Sequence, residues 1–265
     1  TINVSAEKLT GARQIQYSQI KLNPIALRKM PSIGEADIFR TLQTLPGVLT
    51  SSEFSTGLII RGGNTDQNLI LLDGITVYNP SHLGGLFSNF IVNGLKEAEL
   101  IKGGYNAEYG GRLSSVLNVI SREGNRKEFE GSASISLISS QTTLEGPTYK
   151  GNGAWMFSGR RTYIDKFAEL LELEIPYYFY DLQGHIFSDL SKKDRINLSF
   201  YSGRDDLTWP DFGLNIYWGN ETISSKYRRL FSEQLIGNLM LASSKFYTVS
   251  SIGGNSGSQS NNFIK

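Results

Sequence analysis

Two apolar runs separated by two residues mark the centre of the N-terminal half of this chain. Residues 69–72 (LILL) and 75–77 (ITV) flank Asp73-Gly74. A type I′ turn needs positive φ at both of its central residues, which aspartate and glycine tolerate, so this pattern predicts a tight β-hairpin over residues 68–78. The arms are apolar on both faces, so we expect each arm to be buried on both sides.

The segment before the hairpin carries two helix signals. Asn23 and Pro24 predict the start of a short helix that Pro31 should end. Ser32 and Glu35 match a capping box and predict a second helix. The apolar stripe of this second helix is Ile38, Phe39, Leu42 and Leu45, and Pro46-Gly47 should stop it.

Short apolar runs punctuated by glycine pairs continue the N-terminal half. They predict strands at residues 57–61, 98–102 and 116–121, in addition to the hairpin. Residues 1–23 are polar without a sustained period, which is typical of an extended leader. We therefore expect a leader over residues 1–23 and, over residues 24–128, an α+β domain with a small mixed sheet and long loops.

From residue 129 onward, apolar and polar residues alternate. Ile196, Leu198 and Phe200, for example, alternate with Asn197 and Ser199. Amphipathic strands of about ten residues, with short turns at one end (191–194) and long loops at the other (207–220), are typical of an outer-membrane barrel. A soluble β-sandwich would produce the same alternation, so the period alone leaves both architectures open.

The number of strands bears on this choice. The alternation predicts about seven strands after residue 128, the last over residues 235–249, too few to close a barrel around a domain of this size. A sheet in a membrane must close, because unpaired backbone groups are costly in hydrocarbon. In a barrel, residues 129–265 would therefore be an incomplete part of a larger protein, and the polar tail 253–262 would be an extracellular loop.

Composition removes several classes of function. The 265 residues carry a net charge of +1 without a basic run, which argues against nucleic acid as a partner. Cysteine is absent, and the two histidines, His82 and His185, lack metal-ligand spacing. Because no nucleophile–base or phosphate-loop motif is present either, we expect no enzyme activity, no catalytic residues, no metal site and no cofactor.

Three segments together resemble a known family. LQTLPGV (42–48), IRGGNTDQNLILLDGITVYNPSHLGG (60–85) and KGGYNAEYGGRLSSVLNVISREGN (102–125) resemble the plug domain of TonB-dependent outer-membrane receptors. The resemblance covers about residues 1–128. Beyond Phe129 it is limited to the general character of the strands and to short fragments such as FYDLQG and WGN. It implies that residues 24–128 plug the lumen of a transmembrane β-barrel of about 22 antiparallel strands, of which 129–265 form the N-terminal part.

The resemblance also implies partners and a location. Ile2, Asn3, Val4 and Ser5 would stand in the TonB box, which pairs as a strand with TonB, itself driven by an inner-membrane energising complex. A tag remnant or a plain linker would explain residues 1–7 as well. The protein would lie in the outer membrane of a bacterial cell, in contact with its lipid, with the leader in the periplasm.

Candidate binding residues follow from the same comparison. The loop over residues 78–87 would be an apical plug loop, and its mixed chemistry suits a substrate site. The alternative is that this loop packs under the barrel wall. The proposed substrate-binding residues are Tyr78, Asn79, His82 and Phe87, with Tyr105 and Tyr109 from a neighbouring loop. Arg61 and Arg112 lie beside glycine pairs, and we expect them to form plug–barrel ion pairs rather than to contact the substrate.

These observations predict a receptor that binds a small-molecule, glycan or peptide substrate and imports it with energy from TonB. The alternative is a plug and barrel that act as a structural or interaction subunit of an envelope secretion or surface assembly, without import. A surface lipoprotein is a further partner to test for. A soluble β-rich binding protein is the third possibility, and the sequence does not name the substrate.

Overall fold

The computed structural model describes residues 19–22, 35–50, 52, 55–163, 165–166, 176–252 and 255–264. The strands are β1 (Gln19–Leu22), β2 (Val48–Leu49), β3 (Ile59–Ile60), β4 (Asn68–Leu72), β5 (Ile75–Thr76), β6 (Ser81–His82), β7 (Phe87–Ser88), β8 (Leu95–Ile101), β9 (Ser115–Ser121), β10 (Glu130–Ile135), β11 (Ser139–Pro147), β12 (Gly153–Thr162), β13 (Tyr177–Asp189), β14 (Asp194–Trp209), β15 (Leu214–Leu230), β16 (Ile236–Ile252) and β17 (Asn255–Ile264). The α-helix is α1 (Ile38–Gln43), and the 3-10 helices are Thr65–Gln67, Val92–Gly94, Tyr149–Gly151 and Pro210–Phe212.

The predicted hairpin is confirmed. β4 pairs antiparallel with β5, and the two residues between them have positive φ, 53° at Asp73 and 85° at Gly74. Every residue of β4 is buried, as expected for an arm that is apolar on both faces. The carboxylate of Asp73 also accepts hydrogen bonds from the backbone N–H (2.8 Å) and hydroxyl (2.6 Å) of Ser121, which ties the turn to the neighbouring strand.

The hairpin lies at one edge of a five-stranded mixed sheet with the order β1-β8-β9-β4-β5. Only the β4–β9 pair is parallel, as expected for a small mixed sheet. Alternate residues of β4 point into different clusters. Ile70 and Leu72 pack under α1 with Leu117 and Val119, whereas Leu69 and Leu71 pack on the opposite face.

The helix differs from its prediction. α1 begins at Ile38, and its N-cap is Asp37, whose carboxylate accepts from the backbone N–H of Phe39 (2.8 Å) and of Arg40 (3.1 Å). The predicted capping box at Ser32 and Glu35 is therefore wrong, because the Glu35 side chain is engaged elsewhere. Ser32 and the short helix predicted from Asn23 lie outside the described residues. Among those residues, no helix is long and apolar enough to cross a membrane.

The second large sheet contains eight antiparallel strands in sequence order, from β10 to β17. Its exposed apolar side chains face away from the N-terminal domain, whereas many of its buried side chains are polar, with Phe179 and Tyr201 as apolar exceptions that pack on that domain. The exposed apolar residues include Leu182, Ile186, Leu198, Phe200, Ile223 and Leu241, with exposed fractions from 37% to 65%. The buried polar residues include Asp181, Gln183, Ser199, Asp205 and Thr222. A soluble sandwich would bury the apolar face, so this arrangement favours the membrane barrel.

Two details of the barrel prediction are wrong. The segment 207–220 is not a long loop, because β14 continues to Trp209 and β15 begins at Leu214. The tail 253–262 is not a loop either, because β17 covers Asn255–Ile264 and raises the number of described barrel strands to eight. Residues 255–262 are polar or glycine at every position, so hydropathy gives no sign of this strand, which is defined by its pairing with β16.

Candidate functional site

A histidine from the N-terminal domain lies between two carboxylates of the eight-stranded sheet. His82 is fully buried, and its Nε2 is 2.9 Å from Oδ1 of Asp181 while its Nδ1 is 2.8 Å from Oδ2 of Asp205. Its ring stacks on Phe179, with centroids 4.0 Å apart and planes 7° from parallel. Since a carboxylate accepts and does not donate, both ring nitrogens must carry a proton to satisfy both partners.

An arginine on β12 extends this contact to a second part of the N-terminal domain. Arg160 donates from Nη1 to Glu35 Oε1 (2.6 Å), from Nη2 to the carbonyl of Ser88 (2.6 Å) and from Nε to Asp181 Oδ2 (2.8 Å). Glu35 and Arg160 are both buried. We call His82, Asp181, Asp205, Arg160 and Glu35 the ionic network.

Hydroxyl and backbone donors complete the ionic network. The Tyr201 hydroxyl donates to Asp181 (2.6 Å), the Tyr177 hydroxyl donates to Asp205, and the backbone N–H of Leu83 also donates to Asp205 (3.1 Å). Three carboxylates therefore face one guanidinium and one imidazole. Burial alone would lower the pKa of His82, but the carboxylates of Asp181 and Asp205 outweigh it and raise that pKa above its usual value.

A cavity of about 350 Å³ lies inside the N-terminal domain, and its lining includes Ser81, the residue that precedes His82 of the ionic network. Tyr78, Asn79 and Arg112 line this cavity, so the structure brings three of the predicted residues together. Partial burial raises the pKa of the Tyr78 hydroxyl, and the positive charge of Arg112 opposes that rise. The volume falls within the range of sites for small molecules, and aromatic, amide and guanidinium groups converge in it.

Asn220 of β15 fixes the strand-to-loop transition beside this cavity. Its Oδ1 accepts from the backbone N–H of Tyr78 (3.3 Å) and its Nδ2 donates to the carbonyl of Asn79 (2.7 Å). Asn220 is buried, and its side chain makes the hydrogen bonds that a neighbouring strand would otherwise make with the backbone of these two residues. The barrel wall therefore positions the predicted binding loop directly.

The other predicted substrate residues lie elsewhere. His82 has both ring nitrogens engaged by barrel carboxylates, and Phe87 packs with Tyr177 and Phe179, so these two residues contact the wall rather than an open site. Tyr105 and Tyr109 cover the apolar cluster on the opposite face of β4. Substrate contact by these four residues remains a prediction.

The structure describes the two arginines predicted to form ion pairs, but not the residues predicted to bind TonB. Arg112 donates to the carbonyl of Gly111 (3.3 Å), and Arg61 is exposed with a left-handed φ of 50°. Ion pairs from Arg61 and Arg112 to barrel residues remain a prediction. Ile2, Asn3, Val4 and Ser5 lie outside the described residues.

The sequence analysis did not predict that the carboxylates and the guanidinium of the ionic network form ion pairs. A usable signal existed, because Asp181 and Asp205 fall at inward positions of amphipathic strands, where a charge requires a partner. In the part of the chain that the structure describes, no group of three or more His, Asp or Glu side chains is arranged so that it could hold a metal ion.

Comparison with known proteins agrees with this architecture. Residues 24–115 match the model of the TonB-dependent Receptor Plug Domain. Over 220 residues the chain is 24% identical to the vitamin B12 transporter BtuB of Vibrio vulnificus (strain CMCP6), a match that covers 81% of this chain and 30% of the transporter. The chain thus spans about a third of the length of this curated relative.

Solved structures show the same fold at low identity. The siderophore receptor PirA from Pseudomonas aeruginosa matches with a TM-score of 0.67 and 16% identity, over 95% of this chain and 44% of that one. A mutant of the ferric enterobactin receptor PfeA, also from Pseudomonas aeruginosa, gives 0.66 and 17%, over 98% and 46%. The outer membrane transporter YddB from Escherichia coli gives 0.61 and 15%, over 87% and 39%. Residues 24–115 thus match a TonB-dependent receptor plug domain, and the eight-stranded sheet shares the fold of the barrel strands in the solved structures.

Proposed function

We propose that the receptor containing this chain lies in the bacterial outer membrane and imports a small molecule when TonB pulls on the leader of the plug. The observation that carries this proposal is the ionic network, which joins plug and barrel through buried charges. Removing a partner from a buried ion pair is costly, so the joint holds the plug in place at rest. Once separated, the same charged groups are stabilised by water, whereas two apolar surfaces would remain unfavourably exposed.

The position of the cavity supports substrate capture next to this joint. We call the end of the sheet where β13 begins and β14 ends the loop end, and the opposite end the turn end. Asp181 and Asp205 lie four residues from the loop ends of their strands, which start at Tyr177 and finish at Trp209. A substrate that enters from the loop end therefore reaches Tyr78, Asn79 and Arg112 beside the ionic network, where binding and plug release can be coupled.

The named relatives guide the choice of substrate for a first test. They include a vitamin B12 transporter, a siderophore receptor and a ferric enterobactin receptor. We propose a compound of this kind, a metal chelate or a cobalamin, rather than a protein ligand. The described cavity, with one guanidinium among aromatic and amide groups, suits part of such a molecule.

Deletion of residues 1–7 in the full-length receptor tests the proposal. Cells that lack the native receptor would carry either the intact gene or the deletion, and surface binding and uptake of cyanocobalamin and of ferric enterobactin would be measured. We expect uptake of the bound compound to be lost and surface binding to be kept. Deletion of residues 8–14 removes the same length of leader and should leave uptake intact.

Each outcome has a distinct meaning. Unchanged uptake after deletion of residues 1–7 would overturn the assignment of Ile2, Asn3, Val4 and Ser5 as the TonB-binding segment. Surface binding without uptake in the intact receptor would overturn transport itself and leave the non-importing subunit as the explanation.

A further inference from the structure

A second cavity, of about 490 Å³, lies between the plug and the barrel wall near the turn end. Four cationic side chains line it, Lys96 from the plug and Arg195, Lys226 and Arg228 from β14 and β15. We propose that this cavity, called here the basic chamber, binds the carboxylate or phosphate groups of an anionic small molecule on its way through the lumen. The inference deepens the proposed import function by giving the substrate a charge class.

Register concentrates positive charge in the basic chamber. Arg195 pairs directly with Arg228 across β14 and β15, and Lys226 lies opposite Asn197 on the same face. Like charges directly opposite each other destabilise a sheet, so this placement needs a compensating ligand or a structural partner. Arg195 has partners, since it lies 2.7 Å from Asp189 and 3.5 Å from Glu123.

The structure gives the remaining cations no such partner among the residues it describes. Within the described part of the chain, no carboxylate lies within ion-pair distance of Lys96, Lys226 or Arg228. The acidic residues that line the chamber are Asp73, Glu108 and Glu123. Asp73 accepts from Ser121 and lies 3.9 Å from Nδ1 of His185, and Glu123 lies 3.5 Å from Arg195. Four cations therefore face three carboxylates in the lining, and the charged side chains of the chamber sum to +1.

A buried histidine provides an independent sign of a ligand. His185 of β13 lines the chamber with an exposed fraction of 8%, and its Nδ1 is hydrogen-bonded to the Ser199 hydroxyl at 2.9 Å. Its Nε2 is buried and has no hydrogen-bond partner among the described residues. A buried polar atom without a partner is costly, and an N–H at this position would donate to an anion held by Lys226 and Arg228.

The Asn118 side chain adds specificity to this picture. It lines the same chamber from β9 of the plug, and its Oδ1 is also buried without a partner in the described region. An amide oxygen needs a donor, which a simple inorganic anion lacks. A ligand with both acidic and hydroxyl groups would satisfy Asn118 and His185 together, and citrate is a suitable probe because it carries both.

The test is titration of the purified full-length receptor with citrate and, separately, with pyrophosphate, followed by calorimetry in detergent at low salt. We expect both anions to bind, citrate more tightly, and the double variant Lys226→Gln/Arg228→Gln to weaken binding by about tenfold or more. The control double variant Lys127→Gln/Lys150→Gln removes the same charge from exposed positions outside the chamber and should change the affinity less than about twofold.

The proposal is overturned if the intact receptor binds neither anion, or if both double variants lose the same affinity, which would indicate general surface electrostatics. His185→Ala removes the unpartnered Nε2 and should weaken citrate binding; unchanged binding in this variant would also count against the site. Because the variant also loses the Ser199 hydrogen bond and the contact with Asp73, its thermal unfolding is measured to confirm that it is folded. The titration needs no TonB, so its result stands apart from the uptake experiment on residues 1–7.

Discussion

The imidazole of His82 and the carboxylate of Asp181 meet at 2.9 Å although they lie 99 positions apart in the chain. One belongs to the plug and the other to barrel strand β13, and both side chains are almost completely buried. The same carboxylate also holds Arg160, whose Nη1 reaches Glu35 of the plug. Asp181 therefore joins the two plug contacts into one unit. A substitution at either contact should change the stability of the other.

Replacement of His82 by alanine should release the plug from the wall. His82→Ala leaves Asp205 and Asp181 buried with one partner fewer, and we expect a loss of about 3 kcal/mol in the stability of the plug, the lower range for a broken buried pair, because Arg160 and Tyr201 remain on Asp181. Thermal unfolding of the full receptor, with protease cleavage of the plug as the readout, measures this loss. Leu83→Ala, at the partly exposed neighbouring position, should cost about 1 kcal/mol or less.

The same pair predicts a pH dependence with a definite sign. The pKa of His82 is raised in the folded protein, so its contribution to stability is fully present below the pKa of an unfolded histidine, about 6.5, and is lost as the pH rises through the higher folded pKa. The stability difference between the natural receptor and His82→Asn should therefore shrink from acidic to alkaline pH. Thermal midpoints of both proteins between about pH 5 and pH 9 test this; a difference that grows with pH would contradict it.

The elements that are determined by residues close together in the chain were predictable from the sequence. Asp73-Gly74 specifies its turn through the backbone conformations that these two residues tolerate, and the all-apolar arms of β4 specify burial. The strands of the barrel were recognisable as amphipathic for the same reason. Their ends were not, because Trp209 and Leu214 extend β14 and β15 by pairing with each other rather than by their own propensities.

The ionic network depends on contacts that no local pattern records. Glu35 looks like a capping residue by its spacing from Ser32, yet Arg160 binds it from 125 positions away. His82 lies in a loop of binding-site composition, and only the positions of Asp181 and Asp205 show that it contacts the wall. Tyr78, Asn79 and Arg112 do meet in one cavity, which the loop composition alone suggested for the first two.

Glu35 and Arg160 should behave as a coupled pair. Arg160→Met leaves Glu35 and Asp181 without their guanidinium and also removes a donor from the Ser88 carbonyl, so it should cost more than Glu35→Gln. The double variant should be more stable than the sum of the single losses predicts, with a coupling of roughly 0.5–3 kcal/mol. Thermal unfolding of the four receptors completes the cycle, and strict additivity would show that the pair contributes nothing as a pair.

Asp73 should be needed for its carboxylate as well as for its backbone conformation. Burial alone would raise the pKa of Asp73, but the nearby His185 ring, 3.9 Å away, and the hydrogen bonds from Ser121 outweigh it and lower that pKa. The charged form is therefore the stabilising one, and its contribution is lost only as the pH falls through the folded pKa. Asp73→Asn keeps a residue that tolerates positive φ and should cost roughly 1–3 kcal/mol at neutral pH. Asp73→Ala should cost about 1 kcal/mol more, because alanine tolerates that conformation poorly.

A disulfide between plug and barrel would show whether import requires the plug to leave this wall. A Cβ built on Gly94 of the plug would lie 3.4 Å from the Cβ of Ser158 on β12, close to the separation found in disulfides, and the chain has no cysteine of its own. Gly94→Cys/Ser158→Cys should therefore form a cross-link under oxidising conditions. If the plug separates from β12 during transport, uptake of the substrate by the full receptor should stop on oxidation and return on reduction.

The matched control lies within the plug. A Cβ on Gly57 would lie 3.6 Å from the Cβ of Thr65, so Gly57→Cys/Thr65→Cys should form a disulfide of similar geometry without bridging plug and barrel. This receptor should keep uptake after oxidation unless the plug itself unfolds locally between these residues. Uptake by the oxidised Gly94–Ser158 receptor, with the cross-link verified by mass spectrometry, would mean that the substrate passes while the plug stays attached to β12. The substrate would then pass through a rearranged part of the plug, because the ion pairs between the plug and the same wall would still be intact.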